Sequence, residues 1–547
     1  MPLPLPLSLQ PPPAGSPSHR RRRRRGAAAV AVAAALGLAW SATPSAAPRA
    51  TAQAVVPLPP VQRIATEPGV TLDAMVYAPA PTVRARGARP PLLVMPGTWI
   101  AGRLPYLLEA RHYADAGYLV VAYSPRGWGS STGTIDTAGP RDVRDLSAVI
   151  DWAVRSQAVD PERIGVLGYS YGAGIGLLGA AADPRIDAVA AIGGWADLEE
   201  ALLGRTTEER AKIAVLAASA RLLGRPSPEL TAYAREALTG SATAAMRTWA
   251  KTRSPRHHLK ALNAHRPAVF LVHNWGDMFV APPAQMVRFF TALQGPKHLE
   301  LRPGDHVEPL VYCGLNLRIA PCRRTQQWLD TYVRDRKATA REPRPLLVRP
   351  RLGHGDEGYT GWQAMTGRRP ALRPLVPRTA TVRTGVLTGA EAGLPGLSPT
   401  LDKHGLPQPV VMPLLPGAGA AVWDLLPGRP TPLAVRGTPS LTLSVTPSAA
   451  RGTLFAYLYE VEPLGVGRLI SHVPFTFRDR VPGVPFTVEL EMGATAYDVP
   501  AGNRISLVVD TTDPLYRQHN PPGARMSLAP SHLTLPLRSG APALGHR

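Results

Sequence analysis

Two serines of this 547-residue chain occupy the pattern G-x-S-x-G, which can place a serine hydroxyl in a tight turn as a nucleophile. Ser170 lies in "GYSYG", and Ser131 lies in "GSSTG". The chain contains 50 glycines, so such a pentapeptide can also arise by chance. The residues around each serine must therefore decide which of the two could perform nucleophilic catalysis.

Ser170 has the surroundings that a nucleophile elbow requires. It follows the apolar strand pattern "IGVL" and precedes the Ala- and Gly-rich helix pattern "YGAGIGLLGAAA". Small neighbours such as Gly168 and Gly172 allow strand and helix to approach closely, and the helix N-terminus can stabilise a developing oxyanion. Ser131 comes after the strand pattern "YLVVAYS", and no helix pattern begins there. We interpret Ser170 as the nucleophile and Ser131 as a loop residue.

A serine hydroxyl reacts only when a base removes its proton, and the base needs an acid that orients it. Asp277 follows the strand pattern "AVFLVHN", and His306 follows "HLELR". Side chains just past the ends of parallel strands share one edge of a sheet, which makes His306 the candidate base and Asp277 the candidate acid. Asp197, after "AAIGGWA", is the alternative acid. His273 lies within a strand pattern and is expected in the core.

The oxyanion of the reaction needs N–H donors. We expect one from the backbone of Tyr171 and a second from the turn "MPGTW", most simply from Thr98. Aromatic residues at or just past strand ends are expected to line the acyl pocket, namely Trp99, Tyr169, Trp195 and Trp275. The alternative for the tryptophans is that they only pack a cap onto the sheet. No cofactor or metal is expected, because "CGLNLRIAPC" has no partner histidine at a ligand spacing.

Strand-like and helix-like patterns alternate over residues 88–335, which predicts a parallel sheet covered by helices on both faces. Residues 198–263 read as helices throughout and predict a cap inserted over the site. After about residue 340, short β-rich segments predict an antiparallel sandwich or jelly roll. The predicted divisions are an α/β domain in two parts, residues 55–197 and 264–338, the cap at 198–263, and a β domain at 339–547.

Residues 1–54 are predicted to be a signal peptide. Arg20–Arg25 form a basic segment, Gly26–Trp40 a short apolar one, and "ATAQA" at Ala50–Ala54 a cleavage site. A secreted or cell-envelope protein is therefore expected, with an uncleaved anchor as the alternative. Export also favours a disulfide between Cys313 and Cys322 over two buried free thiols.

The formal net charge is +22, but no basic run with interleaved aromatic residues follows residue 54. Nucleic acid is therefore not expected as a partner. The expected partner is a small-molecule ester or a short peptide.

With these residues assigned, the chain resembles the Xaa-Pro dipeptidyl-peptidase and cocaine esterase-like serine hydrolases over about residues 60–540. "GYSYG" resembles the elbow of that group, and "SPRGWGSSTG" resembles its D-x-R-G-x-G-x-S-x-G loop. The resemblance implies an α/β-hydrolase fold with an inserted helical cap and a C-terminal jelly-roll domain. Two positions depart from the pattern. Ser124 stands where the loop opens with Asp, and Thr98-Trp99 stands where some members supply a tyrosine hydroxyl to the oxyanion.

The expected function is that of an exported serine hydrolase that cleaves an ester or amide bond. One alternative is an Xaa-Pro dipeptidyl aminopeptidase, which must hold a free α-ammonium group with carboxylates. Candidate carboxylates for that task are Asp197, Glu199, Glu200 and Glu308. Because an ester is the easier bond, ester substrates are expected to be preferred.

The other alternative is a non-catalytic envelope protein that binds ligands through its β domain. The histidines of that domain are not expected to take part in catalysis, namely His354, His404, His472, His519 and His532.

Overall fold

The computed structural model describes residues 58–83, 88–240, 242–277, 283–336, 344–353, 355–366, 371–374, 378–393, 409–415, 417 and 419–538. The predicted signal peptide at residues 1–54 lies outside these residues, as do His354 and His404. No helix within the described ranges combines the length and the apolar character needed to cross a membrane.

A ten-stranded mixed sheet forms the centre of the first domain, in the order β1-β2-β4-β3-β5-β6-β7-β8-β9-β10. The neighbours from β4 through β3 to β9 pair in parallel, whereas β1, β2 and β10 pair antiparallel. Strands β3, β4 and β7 are buried along their whole length, as continuous apolar runs predict for a sheet covered on both faces. The strands are β1 (Val61–Glu67), β2 (Val70–Tyr77), β3 (Pro91–Pro96), β4 (Leu119–Tyr123), β5 (Asp160–Tyr169), β6 (Ile186–Ile192), β7 (Ala268–Asn274), β8 (Lys297–Arg302), β9 (Leu346–Val348) and β10 (Glu357–Tyr359).

Helices cover both faces of this sheet and build an apolar core on each side. The predicted α/β class is therefore confirmed. One core contains α2 (Pro140–Ser156), α3 (Tyr171–Ala182) and α9 (Pro283–Ala292); the other contains α1 (Leu107–Asp115), α10 (Glu308–Gly314) and α11 (Ala320–Leu329).

Between β6 and β7, where the cap was predicted, the described residues form five α-helices and a short 3-10 helix at Pro255–His258. The α-helices are α4 (Leu198–Leu203), α5 (Arg210–Leu223), α6 (Pro228–Thr239), α7 (Ala244–Thr252) and α8 (Leu259–His265). Asp197, Ser227 and Thr243 each accept a hydrogen bond from the N–H three residues further on, which satisfies a donor at the start of α4, α6 and α7. A small core of Leu203, Ile213, Ala237 and Met246 joins these helices.

From Ala371 onwards, the described residues form mainly antiparallel β-sheets, as predicted for a sandwich. One sheet has the order β11-β22-β16-β19 with β12 also on β22, a second has the order β13-β18-β17-β21-β14, and a third is β20-β15-β23. Buried and half-buried residues alternate along β16, so one face of the first sheet lies in the sandwich core. The elements are β11 (Ala371–Pro374), β12 (Ala380–Arg383), β13 (Val410–Val411), β14 (Ala421–Leu426), β15 (Leu433–Gly437), β16 (Ser440–Pro447), β17 (Gly452–Val461), β18 (Val466–Phe477), β19 (Phe486–Glu491), β20 (Thr495–Val499), β21 (Arg504–Asp510), β22 (Arg525–Leu535), β23 (Leu537–Arg538) and α12 (Trp362–Thr366).

The boundary between the α/β domain and the β domain was expected at residue 338, but it lies further along the chain. β9 pairs in parallel with β8, and β10 pairs with β9, so the central sheet continues to Tyr359. Leu346 and Val348 are fully buried there. Their strand is only three residues long, too short for its apolar pattern to be distinguished from those of the β domain.

The β domain also contacts the cap. The N–H of Ala211 on α5 donates to the carbonyl of Leu515 at 3.1 Å, and Arg517 Nη2 donates to the carbonyl of Thr239 at the end of α6 at 2.9 Å. Tyr457 and Tyr459 of β17 belong to the apolar cluster against which Ala211 packs. The cap is thus held between the central sheet and the β domain.

Candidate active site

Ser170 lies in a sharp turn between β5 and α3. Its φ and ψ are 53° and −112°, a conformation that non-glycine residues rarely adopt. The turn needs glycine on either side, because a Cβ on Gly168 would lie 2.2 Å from the carbonyl carbon of Gly172. A Cβ on Gly172 would lie 2.1 Å from the carbonyl oxygen of Pro96. The strained turn presents the Ser170 hydroxyl at the carboxyl edge of the sheet.

The structure brings Ser170, His306 and Asp277 together in one hydrogen-bonded chain. Ser170 Oγ lies 2.8 Å from His306 Nε2, and His306 Nδ1 lies 2.9 Å from Asp277 Oδ2. A carboxylate only accepts, so Nδ1–H donates to Asp277, and Nε2 of the neutral ring accepts from the serine hydroxyl. This arrangement allows proton transfer from a nucleophile to a base that an acid orients.

Asp277 lies in the loop after β7, and His306 lies in the loop after β8. Asn274 donates from its side chain to the carbonyl of Asp305, which ties the two loops together. Asp305 Oδ1 accepts from the N–H groups of Val307 and Glu308, so this carboxylate caps the following turn. Asp277 is 4% exposed, and His273 Nε2 lies 3.9 Å from its Oδ2.

Asp197, the alternative acid, does not take part in the hydrogen bonds that join Ser170, His306 and Asp277. Its Oδ1 accepts from the N–H of Glu200 at 3.1 Å, and its Oδ2 pairs with Arg256 at 2.7 Å. Asp197 therefore caps α4.

Of the two N–H groups expected to bind the oxyanion, that of Thr98 is already hydrogen-bonded within the protein. Tyr171 opens α3, where N–H groups have no acceptor within the helix, as expected. The N–H of Thr98 instead donates to the carbonyl of Gly102 at 2.9 Å, because the chain folds back as a tight hairpin there. No described residue accepts a hydrogen bond from the next N–H, that of Trp99. Trp99 is therefore a better candidate than Thr98 for the second donor.

A buried carboxyl supports the first donor. The hydroxyl of Tyr171 donates to Asp142 Oδ2 at 2.5 Å, and the N–H of Ala138 donates to the same oxygen at 2.9 Å. Burial, with a contribution from the charge of Asp136, raises the pKa of Asp142 to about 8. Asp142 therefore carries its proton at neutral pH and fixes the position of the Tyr171 side chain.

Ser170 and Tyr171 line a cavity of about 870 Å³ that extends into the cap, termed the cap cavity here. Trp99 and Trp195 line it, as expected for a substrate pocket. The indole N–H of Trp99 donates to Ser219 Oγ on α5 at 3.0 Å, and that of Trp195 donates to the carbonyl of Arg253 at 2.7 Å. With their polar atoms paired, both indoles present apolar surface to the cavity.

Two other expected pocket residues lie elsewhere. Tyr169 points to the opposite face of the sheet, where its hydroxyl donates to Glu109 at 2.8 Å, because successive strand residues alternate between faces. Burial raises the pKa of this Glu109 to about 7. Trp275 donates its indole N–H to the carbonyl of Arg349 and lines a different cavity. Neither residue contacts the cap cavity.

This second cavity, termed the junction cavity here, lies where the cap and the central sheet meet the β domain. It measures about 220 Å³, and Asp277, Glu209, Lys212, Arg288 and Glu491 are among its lining residues. Lys212 is 5% exposed and pairs with Glu209 at 2.7 Å. The candidate site thus lies between a large apolar cavity on the Ser170 side and a small charged one on the Asp277 side.

The β-domain histidines that are described form contacts away from Ser170. His472 Nε2 lies 2.8 Å from the Tyr516 hydroxyl, and burial lowers the pKa of His472 to about 4. His519 pairs with Glu208 at 3.2 Å, and His532 contacts Ser531. Among the described residues, no group of three or more His, Cys, Asp or Glu could hold a metal ion.

Cys313 and Cys322 form a disulfide with Cα atoms 5.5 Å apart. The bridge joins α10 to α11, the two helices that follow His306.

An α/β-hydrolase domain with a helical cap and a β-sandwich defines the class of this protein, and two family models specify it further. The X-Pro dipeptidyl-peptidase (S15 family) model matches residues 68–308, and the X-Pro dipeptidyl-peptidase C-terminal non-catalytic domain model matches residues 430–543. The chain belongs to this family of X-Pro dipeptidyl-peptidase and cocaine esterase-like proteins, and it is a serine hydrolase.

Solved structures share the whole architecture at low sequence identity. An aminopeptidase from a marine sediment Thaumarchaeota archaeon is 16% identical, with a TM-score of 0.63 over 91% of this chain and 100% of its own. A CocE/NonD family hydrolase of Staphylococcus aureus is 13% identical, with a TM-score of 0.64 over 88% and 93%. An alpha-amino acid ester hydrolase is 13% identical, with a TM-score of 0.62 over 91% and 100%. At these identities the similarity establishes the fold.

Curated relatives match a shorter part of the chain. A thiohydrolase of Arthrinium phaeospermum is 32% identical over 126 residues, and an acyltransferase of Aspergillus calidoustus is 31% identical over 130 residues. The match spans 39% and 40% of these relatives, well under half of their length, and 23% of this chain in each case.

Two groups of residues at the site could not be identified from the sequence. Asp142 lies on α2, an amphipathic helix whose pattern does not indicate which polar residue turns inward towards Tyr171. The residues of α5 and α6 that line the cap cavity were also missed, because helices that enclose a cavity have the same composition as helices that pack tightly.

Proposed function

We propose that the protein is a carboxylic ester hydrolase in which Ser170 attacks the acyl carbonyl. His306 takes the hydroxyl proton and returns it to the leaving alkoxide, and Asp277 orients the ring and stabilises the imidazolium. The backbone N–H groups of Tyr171 and Trp99 hold the oxyanion. Water then releases the acyl group from Ser170. The hydrogen bonds of 2.8 and 2.9 Å support these roles.

The composition of the cap cavity favours an ester over a peptide with a free N-terminus. The lining residues in the described part of the chain include no carboxylate, and the charged ones are Arg221 and Arg235. A free α-ammonium group would lose its hydration there and meet only like charge. This is the observation that carries the choice of an ester.

The four acids that could have bound an α-ammonium group lie outside the cap cavity. Glu199 pairs with Arg247 at 2.8 Å, and Glu200 pairs with Arg288. Asp197 pairs with Arg256, and Glu308 does not line the cap cavity either. An Xaa-Pro dipeptidyl aminopeptidase would need a carboxylate at the substrate.

A comparison of substrates tests this proposal. We expect kcat/KM for p-nitrophenyl butyrate to exceed that for Gly-Pro-p-nitroanilide, because the alkoxide leaves more easily than the amine and the cavity offers no ammonium site. Acetyl-Gly-Pro-p-nitroanilide serves as the control for the free N-terminus. Faster cleavage of Gly-Pro-p-nitroanilide that acetylation abolishes would contradict the proposal.

We also propose that the protein is exported and that the bond between Cys313 and Cys322 forms outside the cytosol. The basic and apolar segments at Arg20–Arg25 and Gly26–Trp40 support export. Thiol titration of the denatured, unreduced protein is expected to find no free thiol, and mass spectrometry is expected to find an N-terminus near residue 55. Two titratable thiols, or an intact N-terminal segment on a cytosolic protein, would contradict this proposal.

A further inference from the structure

The cap cavity extends well beyond the space that a small acyl group needs. Its volume of about 870 Å³ is near the upper end of the range of about 300–1,000 Å³ for small-molecule sites. Helices α4, α5, α6 and α7 contribute most of the lining side chains, which are mainly leucine, alanine and other apolar residues. An acetyl group or a proline ring at Ser170 would leave most of this volume unfilled.

The polar side chains in the cavity wall are few, and two of them have hydroxyls that are already hydrogen-bonded; Thr137, Arg221 and Arg235 are the other places where a polar ligand group could bind. Thr231 and Thr239 line the cavity, but their hydroxyls donate to the carbonyls of Ser227 and Arg235 at 3.0 and 2.8 Å. A sugar or peptide buried against the leucine and alanine side chains that form most of this wall would lose hydrogen bonds to water without replacement. A hydrocarbon chain loses none, so the wall favours a hydrocarbon.

The cavity reaches the surface between α5 and α6, since exposed residues of both helices line it, among them Ala214, Ala218 and Thr231. Beside this opening, Val215 and Leu222 of α5 are 50% and 54% exposed. The opening therefore has exposed apolar side chains beside it, together with the exposed lining residues Arg221 and Arg235, and it leads into a mainly apolar interior.

We propose that the cap cavity is an acyl-chain site for esters of long, unbranched carboxylic acids. The ester carbonyl lies at Ser170, and the hydrocarbon chain extends between α5 and α6. The cleavage of such esters rests on the proposed function, whereas binding of the chain requires no catalysis. Ala217 and Ala234 line the cavity on α5 and α6, so a larger side chain at either position would occupy the path of the chain.

The chain-length profile of p-nitrophenyl esters tests this site. The value of kcat/KM is expected to rise roughly threefold to fourfold per methylene group from acetate through butyrate to octanoate. Ala234→Phe and Ala217→Phe are each expected to lower the octanoate-to-acetate ratio at least tenfold. Ala232→Phe is the matched control, because Ala232 is exposed on the same helix and does not line the cavity. This control is expected to keep the wild-type ratio.

Binding to the Ser170→Ala variant separates the acyl-chain site from catalysis. Trp99, Trp195 and Trp249 line the cavity, so their fluorescence should change saturably with sodium dodecanoate. Adding Ala234→Phe should weaken that binding at least tenfold, whereas adding Ala232→Phe should not. Binding without turnover of any ester by the wild-type protein would support the acyl-chain site and contradict the proposed function. Turnover with a flat chain-length profile and no dodecanoate binding would overturn the acyl-chain site alone.

Discussion

Ser170 and Ser131 share one five-residue pattern, but their surroundings differ in every respect that matters for chemistry. Ser170 is half-buried, has a φ of 53° and contacts the imidazole of His306. Ser131 is fully buried, its Oγ donates to the carbonyl of Ser124 at 2.6 Å and accepts from the N–H of Asp73 at 2.8 Å. The hydroxyl of Ser131 therefore holds two backbone segments together, and that of Ser170 faces an imidazole and a cavity.

One helix supports both turns through two acids one turn apart. On α2, Asp142 accepts from the hydroxyl of Tyr171 beside Ser170. Asp145 binds Arg126, in the loop of Ser131, through two hydrogen bonds of 2.7 Å. The same helix thus holds the turn of Ser170 through the carboxyl of Asp142 and the loop of Ser131 through an ion pair. The G-x-S-x-G pattern alone does not distinguish them.

Ser170→Ala should give the largest effect. The value of kcat/KM is expected to fall on the order of 10⁴-fold or more, because the nucleophile is lost and its partners act as a unit. The melting temperature should stay close to that of the wild-type protein, since no backbone segment depends on this hydroxyl. Ester hydrolysis near the wild-type rate by the purified variant would show that the two turns had been assigned the wrong way round.

Asp277→Asn should rank next, with kcat reduced roughly 10³–10⁴-fold, because asparagine cannot orient and stabilise the imidazolium in the same way. Asp197→Asn is the matched control. Asparagine can also cap α4, so this variant should keep kcat within a few-fold of the wild-type value. Steady-state kinetics on one ester measures both. A larger loss in the Asp197 variant would instead identify Asp197 as the acid.

Ser131→Ala should act on stability. We expect the free energy of unfolding to fall by about 1–3 kcal/mol, because the N–H of Asp73 loses a buried acceptor. Denaturant titration measures this loss, and kcat should stay within a few-fold. Ser130→Ala, at the exposed neighbouring position, should change the free energy by no more than about 0.5 kcal/mol. Equal free energies of unfolding for Ser131→Ala and Ser130→Ala would show that the hydroxyl of Ser131 has no structural role.

Asp142→Asn should have the smallest effect on activity, and its effect should appear in the pH dependence of stability. Burial raises the pKa of this carboxyl from 3.8 to about 8, so its contribution to stability is full below about pH 4 and is lost as the pH rises through 8. Asparagine keeps the acceptor for Tyr171 and does not ionise. The melting temperature of the variant should therefore decline less than that of the wild-type protein from pH 5 to pH 9. If the melting temperatures of the variant and the wild-type protein declined equally from pH 5 to pH 9, Asp142 would be ionised over that whole range.

Features that depend on neighbouring sequence could be predicted from the chain. The elbow at Ser170 follows from an apolar strand, two obligatory glycines and an apolar helix. The loops that carry Asp277 and His306 follow directly after apolar strand patterns. The cap was visible because no strand pattern interrupts residues 198–263.

Features that depend on how segments approach one another could not be predicted. The hairpin that occupies the N–H of Thr98 forms through a contact with Gly102 that no pattern indicates. Trp275 faces the junction cavity because the β domain lies there, and sequence patterns do not reveal how domains dock. Tyr169 was predictable in principle, since it immediately precedes Ser170 on a strand and must point to the other face.

Labelling with a fluorophosphonate, followed by peptide mapping, shows directly whether Ser170 is an activated nucleophile. The reagent reacts with a serine that a base activates, so it should modify one residue per chain, Ser170, and the Ser131→Ala variant should be labelled as the wild-type protein is. The Ser170→Ala variant should remain unlabelled. Modification of Ser131, or no modification of a correctly folded wild-type protein, would contradict the account, and the second result would favour a non-catalytic ligand-binding protein.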